Sequence, residues 1–148
     1  MSRTGPRLDA PGYVGLRRYF LTFCTHKRRS RFTAPEIVDA VHGQILRTGL
    51  EMQVEEIAYC FMPDHVHLLV QGCSDDADCL AFVNLAKQRS GFAFSQLREG
   101  RLWQTGFHDR ILRDGDSSRR FIKYILQNPV RAGLVTNVSD YPFAGSSR

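Results

Sequence analysis

The sequence contains almost no lysine, no closely spaced cysteine pair and no long apolar run. Of its 20 basic residues only Lys27, Lys87 and Lys123 are lysine, and the other 17 are arginine. The planar fork of arginine suits phosphate oxygens, so a net charge of +5 indicates a polyanionic partner. Four cysteines without a Cys-x-x-Cys pair exclude a disulfide framework, and a zinc site joining Cys60 or Cys73 to histidines stays open as an alternative.

No apolar stretch approaches the length of a membrane span, and residues 1–10 lack the hydrophobic segment of a signal peptide. We therefore expect a cytoplasmic protein. A chain of 148 residues with 43% hydrophobic content is most simply one domain over residues 1–148, in which residues 1–12 form a loose basic arm.

Strand and helix patterns follow one another in the order β-α-β-β-α-β. This order predicts an α+β, ferredoxin-like split βαβ fold, with a four-stranded antiparallel sheet, both helices on one face and the other face free for a site. Thr33 and Glu36 match a capping box. The predicted strands are 19–25, 54–62, 65–71 and 102–113, and the predicted helices are 33–50 and 75–90, the second of which residues 91–97 either extend or break.

Two histidines, His65 and His67, are separated by one residue at the start of the fourth pattern, directly after a Pro-Asp turn. Side chains alternate along a strand, so both histidines point to one face and Val66, Leu68 and Val70 point to the other. This arrangement predicts a two-ligand metal face on a buried strand. The alternative is that both histidines simply lie on the wet face of an amphipathic strand.

A turn at residues 114–118 precedes a further helix, predicted over residues 117–127, which has an apolar arc and a basic side. Tyr124 and Asn128 are i, i+4 neighbours on the border between the two, with Arg120 one turn before the tyrosine. Tyr124 can thus be held by packing and still present its hydroxyl to solvent. The alternative is an ordinary boundary tyrosine, with Asn128 capping a new turn that begins at Pro129.

Three segments together resemble the REP-associated tyrosine transposases, which are single-tyrosine HUH enzymes (His, hydrophobic residue, His). They are Met62-Pro-Asp-His-Val-His-Leu-Leu69, Trp103-Gln-Thr-Gly-Phe-His-Asp-Arg-Ile-Leu-Arg113 and Tyr124-Ile-Leu-Gln-Asn-Pro-Val-Arg-Ala-Gly-Leu-Val135. The resemblance covers residues 19–147, with the motifs in the expected order. Asn128 departs from the Gln of many relatives, and Asp64 stands where Asn is common.

The resemblance implies a metal-dependent endonuclease and strand transferase that acts on single-stranded, hairpin-containing DNA. It implies Tyr124 as the nucleophile that forms a 5′-phosphotyrosine, and His65, His67 and Asn128 as ligands of Mg²⁺ or Mn²⁺. It leaves open a monomer or a homodimer. Phosphate contacts are expected from Lys27, Arg28, Arg29, Arg31, Lys87, Arg119 and Arg120, although solvated surface explains these charges equally well.

Two other functions remain open at this stage. One is a domesticated protein that binds palindromic repeats without transposition activity. The other is a non-catalytic ferredoxin-like domain that binds metal or RNA. Intact His65, His67 and Tyr124 speak against a protein that only binds repeats. A non-catalytic domain would gain nothing from a tyrosine placed beside Asn128.

Overall fold

The structure, a computed structural model, describes residues 10–113 and 116–148. None of the helices in these two stretches is both long and apolar enough to cross a membrane. The strands are β1 (Arg18–Cys24), β2 (Val54–Met62), β3 (His65–Gly72), β4 (His108–Ile111) and β5 (Ala144–Ser146), and the helices are α1 (Pro35–Met52), α2 (Cys79–Ser95), α3 (Ser118–Leu126) and α4 (Asn128–Arg131).

The strands form one antiparallel sheet in the order β4-β1-β3-β2-β5. Its first four strands and the two helices between them confirm the predicted split βαβ arrangement. The expected strand number was wrong by one, because β5 adds to the edge of β2. β5 is only Ala-Gly-Ser, which lacks the β-branched and aromatic residues that make a strand visible in a sequence.

Helices α1 and α2 cover one face of the sheet and bury the main core. The predicted capping box was wrong: the N-cap of α1 is Ala34, which makes no side-chain hydrogen bond, and Pro35 opens the helix instead. Asp78 does cap α2, because its carboxylate accepts from the backbone nitrogen of Ala81 at 3.0 Å. α2 continues without a break through the ambiguous segment as far as Ser95.

The long fourth strand predicted over residues 102–113 was also wrong, since β4 occupies only His108–Ile111. The apolar residues before it are buried in the main core without belonging to a strand. Trp103 makes a single bridge to Thr25, and its indole nitrogen donates to Ser90 Oγ at 2.9 Å. Gly106 then adopts a φ of 81°, which turns the chain into β4. Apolar spacing here reflects a packed loop.

The other face of the sheet is not left free, which corrects the prediction. Helix α3 lies across it, and Phe121 and Ile125 pack with Ala58, Cys60 and Leu69 in a second cluster. The part of this face above β1 and β4 remains open. α3 therefore forms one wall of a recess and brings its own side chains to the sheet.

Two predicted features fall partly outside the described residues. Residues 1–9 of the expected arm lie there, as do residues 114–115 of the expected turn. Of the remainder, Ala10–Tyr13 is a 3₁₀ turn in which the Tyr13 side chain is fully buried and its hydroxyl donates to Asp109. Ser117 caps α3 by accepting from the backbone nitrogen of Arg120.

Candidate active site

Strand β3 separates its side chains as the alternation predicts. Val66, Leu68 and Val70 are fully buried beneath α1 and α2. His65 and His67 point to the opposite face, where α3 lies, and their ring centroids are 4.8 Å apart. The fold therefore places two imidazoles side by side at the edge of the open recess.

Each imidazole is held through its Nδ1 atom. Thr22 Oγ1 lies 2.8 Å from His67 Nδ1, because Thr22 and His67 are directly paired across β1 and β3. Asp64 Oδ1 lies 2.8 Å from His65 Nδ1. Both bonds fix the ring orientation and leave Nε2 available, which is the usual arrangement of histidines that bind a metal.

Both histidines are kept neutral. Burial, helped by the nearby charges of His65, Arg131 and His108, lowers the pKa of His67 to about 3. Burial also lowers the pKa of His65, against the opposing effect of its hydrogen bond to Asp64. A cation can bind only the unprotonated imidazole, and at neutral pH both rings are in that form.

Asp64 connects His65 to the basic loop. Its second carboxylate oxygen lies 3.0 Å from Arg28 Nη2. Burial alone would raise the pKa of Asp64, but the bond to His65 and the charge of Arg28 outweigh it, so the net shift is downward. Lys27 and Arg28 turn the loop back towards Asp64 with φ of 56° and 53°. The carboxylate is therefore ionised and anchored on both sides.

Tyr124 reaches the histidines from α3. Its ring centroid lies 6.4 Å from that of His67 and 5.9 Å from that of Phe20, which meets it edge-on. The side chain is 49% exposed. Phe20 also contacts the ring of Phe121, so the same aromatic side chain holds both the helix and the tyrosine. A phenol from late in the chain thus lies next to the paired imidazoles from its middle.

Asn128 does not continue the helix of Tyr124, since it is the first residue of the short helix α4. Its Nδ2 atom is buried and has no hydrogen-bond partner within the described part of the chain. A half-turn of the amide exchanges Nδ2 and Oδ1, so an oxygen ligand can take this buried position. A buried amide without a partner next to the tyrosine helix fits a missing ligand, because such groups are normally satisfied.

A zinc site that uses cysteine is not favoured. Residues 10–113 and 116–148 contain no group of three or more His, Cys, Asp or Glu side chains that could hold a metal ion. Cys60 lies opposite His67 in the sheet, but burial raises the pKa of its thiol to about 12. Cys73 is exposed and follows the last residue of β3, at the end of the strand opposite His65. Two imidazoles therefore remain as the donors that the fold places side by side, and Asn128 stays a predicted third ligand.

Arg131, which the sequence analysis missed, lies directly on Tyr124. Its guanidinium carbon is 4.0 Å from the centroid of the phenol ring, and its Nη2 donates to the backbone carbonyl of Tyr124 at 2.7 Å. Thr22 and Phe20 were also missed. Only the spacing of Arg131, seven residues or two helical turns after Tyr124, could have indicated it. The roles of the other two follow from strand register, which a single sequence does not reveal.

The open part of the face is a cavity of about 450 Å³ beside the phenol. His108 and Arg110 of β4 and Arg120 of α3 are among the residues that line it. The cavity thus combines cations with aromatic surface. Its lining residues are Phe20, Thr22, His108, Asp109, Arg110, Arg120, Phe121 and Tyr124.

The seven predicted phosphate contacts have different surroundings. Lys87 donates to the backbone carbonyls of Gln104 and Gly106, and the guanidinium of Arg31 lies 5.0 Å from the ring of Phe94. These two residues therefore brace loops, whatever else they contact. The other five are exposed: Lys27, Arg28, Arg29, Arg119 and Arg120. A role in binding DNA stays a prediction for all seven residues.

Comparison with known proteins supports one family. The family described as "Transposase IS200 like" matches residues 14–128. A candidate REP-associated tyrosine transposase of Haemophilus influenzae is 28% identical over 141 residues, which cover 88% of this chain and 80% of that protein. The ISDra2 transposase TnpA of Deinococcus radiodurans is 32% identical over 122 residues, which cover 77% of this chain and 85% of that protein.

The fold agrees with a solved relative. A structure of a REP-associated tyrosine transposase bound to a REP hairpin superposes with a TM-score of 0.79 at 24% identity, covering 95% of this chain and 81% of that one. The family match includes β1 to α3 and ends at Asn128, so it spans the histidine strand and the tyrosine helix. The resemblance read from the three motifs is confirmed, and the chain belongs to the IS200-like transposase family of enzymes that act on DNA.

Proposed function

We propose that this transposase is a metal-dependent endonuclease and strand transferase for single-stranded DNA that carries a hairpin, and that Tyr124 is its nucleophile. The observation that carries the proposal is the 6.4 Å separation between the rings of Tyr124 and His67. Tyr124 is half-exposed, lies next to one imidazole of the pair and lines a cavity to which Arg110 and Arg120 also contribute. A tyrosine that served only the core would be covered.

In the proposed reaction, the phenol oxygen of Tyr124 attacks the phosphorus of a phosphodiester. The bond from phosphorus to the 3′-oxygen breaks, and a 5′-phosphotyrosine forms. The phenol proton leaves to solvent, and the released 3′-oxygen takes up a proton to become a hydroxyl. Joining is the reverse attack by a 3′-hydroxyl, so strand transfer requires no external energy source.

His65, His67 and Asn128 are the residues that would hold Mg²⁺ or Mn²⁺. Neutral imidazoles and an amide leave the cation its full charge, with which it would polarise the phosphodiester and stabilise charge on the phosphoryl oxygens. Thr22 and Asp64 orient the two rings from behind. The choice between these two cations follows from the family resemblance, since imidazole ligands alone also accept zinc.

Phe20 and the cavity would position the DNA. An unpaired base can stack on the exposed aromatic surface, and Arg110 and Arg120 can meet the adjacent phosphates. A related transposase has been solved with a REP hairpin, which supports hairpin DNA as the substrate class here. Tyr124 lies beside His67 of its own chain. We therefore propose that a monomer carries a complete site.

A labelled single-stranded hairpin oligonucleotide, incubated with Mg²⁺ or Mn²⁺ and run on a denaturing protein gel, tests the proposal. Wild type should give a covalent adduct that EDTA prevents, and Tyr124→Phe should give none. Tyr141→Phe is the matched control, because it removes a phenol hydroxyl whose partner is the backbone oxygen of Phe61. It should form the adduct at the wild-type rate.

The same experiment separates the rival functions. DNA that shifts on a native gel but never yields an adduct would support a domesticated DNA-binding protein. An adduct that persists in Tyr124→Phe would assign the nucleophile elsewhere. A chain that binds neither the hairpin nor a divalent cation would overturn the whole proposal.

A further inference from the structure

Arg131 touches the candidate nucleophile at two separate points. Its guanidinium carbon lies over the Tyr124 ring, 4.0 Å from the centroid, and the same group donates to the Tyr124 backbone oxygen at 2.7 Å. The two contacts fix one side chain relative to its own backbone. Because Arg131 is exposed, nothing in the core requires it to lie there.

From these contacts we infer that Arg131 is a positioning residue, which clamps the Tyr124 ring against His67 and thereby holds the phenol oxygen at the reaction site. The inference rests on the proposed nucleophilic role of Tyr124. Within residues 10–113 and 116–148, the other rings recorded against Tyr124 are those of Phe20 and His67. Without the guanidinium, a half-exposed tyrosine would be free to leave these two neighbours.

A simpler explanation is that Arg131 only satisfies a carbonyl at the end of α3, as basic side chains commonly do. That role explains the hydrogen bond but leaves the ring contact without a purpose. A helix cap alone has no reason to cover the phenol ring as well.

Arginine suits this task better than lysine. A planar guanidinium can cover an aromatic face and donate sideways at the same time, whereas an ammonium is a compact point charge. Arg131→Lys would therefore keep the charge but lose one of the two contacts. Arg131→Gln would lose the charge and the stacking together. These two variants separate the clamp from simple electrostatics.

The first experiment observes the ring directly, in the full chain without metal or DNA. The five tyrosines are replaced by 3-fluorotyrosine, and Tyr124→Phe assigns the Tyr124 signal in the ¹⁹F NMR spectrum. In Arg131→Gln this signal should move towards the position of free fluorotyrosine, while the other four signals stay and report that the fold is intact. A Tyr124 signal that does not move would overturn the clamp.

The second experiment measures the chemistry as single-turnover adduct formation at saturating hairpin DNA. Arg131→Gln should lower the rate by about 100-fold, because a displacement of about 1 Å at a reacting group costs that much. Its DNA affinity should equal that of Arg47→Gln, which removes an exposed arginine from α1 on the other side of the sheet. Arg131→Lys should fall between wild type and Arg131→Gln.

The possible outcomes distinguish this inference from the proposed function. A wild type that forms no adduct refutes the nucleophilic role, and the NMR experiment then decides the clamp alone. An adduct rate in Arg131→Gln equal to wild type overturns the positioning role while leaving Tyr124 as nucleophile. A loss confined to DNA affinity would make Arg131 a phosphate contact, which also overturns the inference.

Discussion

Asp64→Ala should weaken the binding of Mn²⁺ by about 10- to 100-fold, which corresponds to about 1.4 to 2.7 kcal/mol. Asp64 Oδ1 lies 2.8 Å from His65 Nδ1 and therefore keeps the proton on that atom, which leaves Nε2 unprotonated for a cation. Removing the carboxylate frees the ring to rotate and to change tautomer. The expected cost is thus that of losing the orientation of one of the three proposed ligands.

Two further variants at this position set the scale of the effect. Asp64→Asn retains an oxygen that can accept from Nδ1, so its loss of affinity should be smaller than that of alanine. Arg28→Gln keeps the bond to His65 and removes only the ion pair of 3.0 Å behind it. Both partners of that pair are partly exposed, so we expect an effect below about threefold.

The affinities can be measured by titrating Mn²⁺ into each variant and following the free ion by electron paramagnetic resonance. Thermal unfolding with EDTA would confirm that every variant is folded. Equal affinities for wild type and Asp64→Ala would refute the assigned role of the carboxylate. A wild type that fails to bind Mn²⁺ or Mg²⁺ would instead refute the metal site itself.

Three other outcomes are expected. The folded state holds the pKa of His67 at about 3, whereas the unfolded chain binds a proton on this residue near pH 6.5. In EDTA, the free energy of unfolding should therefore be full above pH 6.5 and lower by about 3 kcal/mol at pH 4. Urea unfolding of His67→Gln should show a flatter pH dependence. Iodoacetamide should label only Cys73 in the folded chain, because the other three cysteines are buried, and mass spectrometry would show the labelled site. Labelling of Cys60 would mean that α3 detaches from the sheet. Ile125→Ala should lower the free energy of unfolding by about 2 to 5 kcal/mol in a urea titration, because Ile125 is fully buried against the sheet; no loss would show that packing does not hold α3.

The elements with strong periodicity could be predicted from the sequence. β2 has the expected bounds, β3 is one residue longer than expected, and α3 differs from its predicted range by one residue at each end. The alternation in β3 also predicted which face carries His65 and His67. Such patterns survive because one face of each element must be buried, which a single sequence records directly.

Features that depend on contacts between distant segments were missed. The apolar residues around Trp103 resembled a strand because a packed loop also needs buried side chains. The pairing of Thr22 with His67 depends on the register of β1 against β3, which the sequence alone does not specify. The position of α3 on the sheet follows from packing, and its amphipathic pattern indicates that a face is buried but not against what.

Strand β5 covers an edge of β2 that could otherwise pair with a strand of another molecule. β5 hydrogen-bonds along β2, and Gly145 passes so close to Tyr59 that an added Cβ would lie 2.9 Å from the ring. If the final residues were trimmed away, the backbone groups of β2 would be exposed as a template for strand addition by another molecule. A shortened chain should therefore tend to self-associate and aggregate, even though its histidines and tyrosine would be untouched.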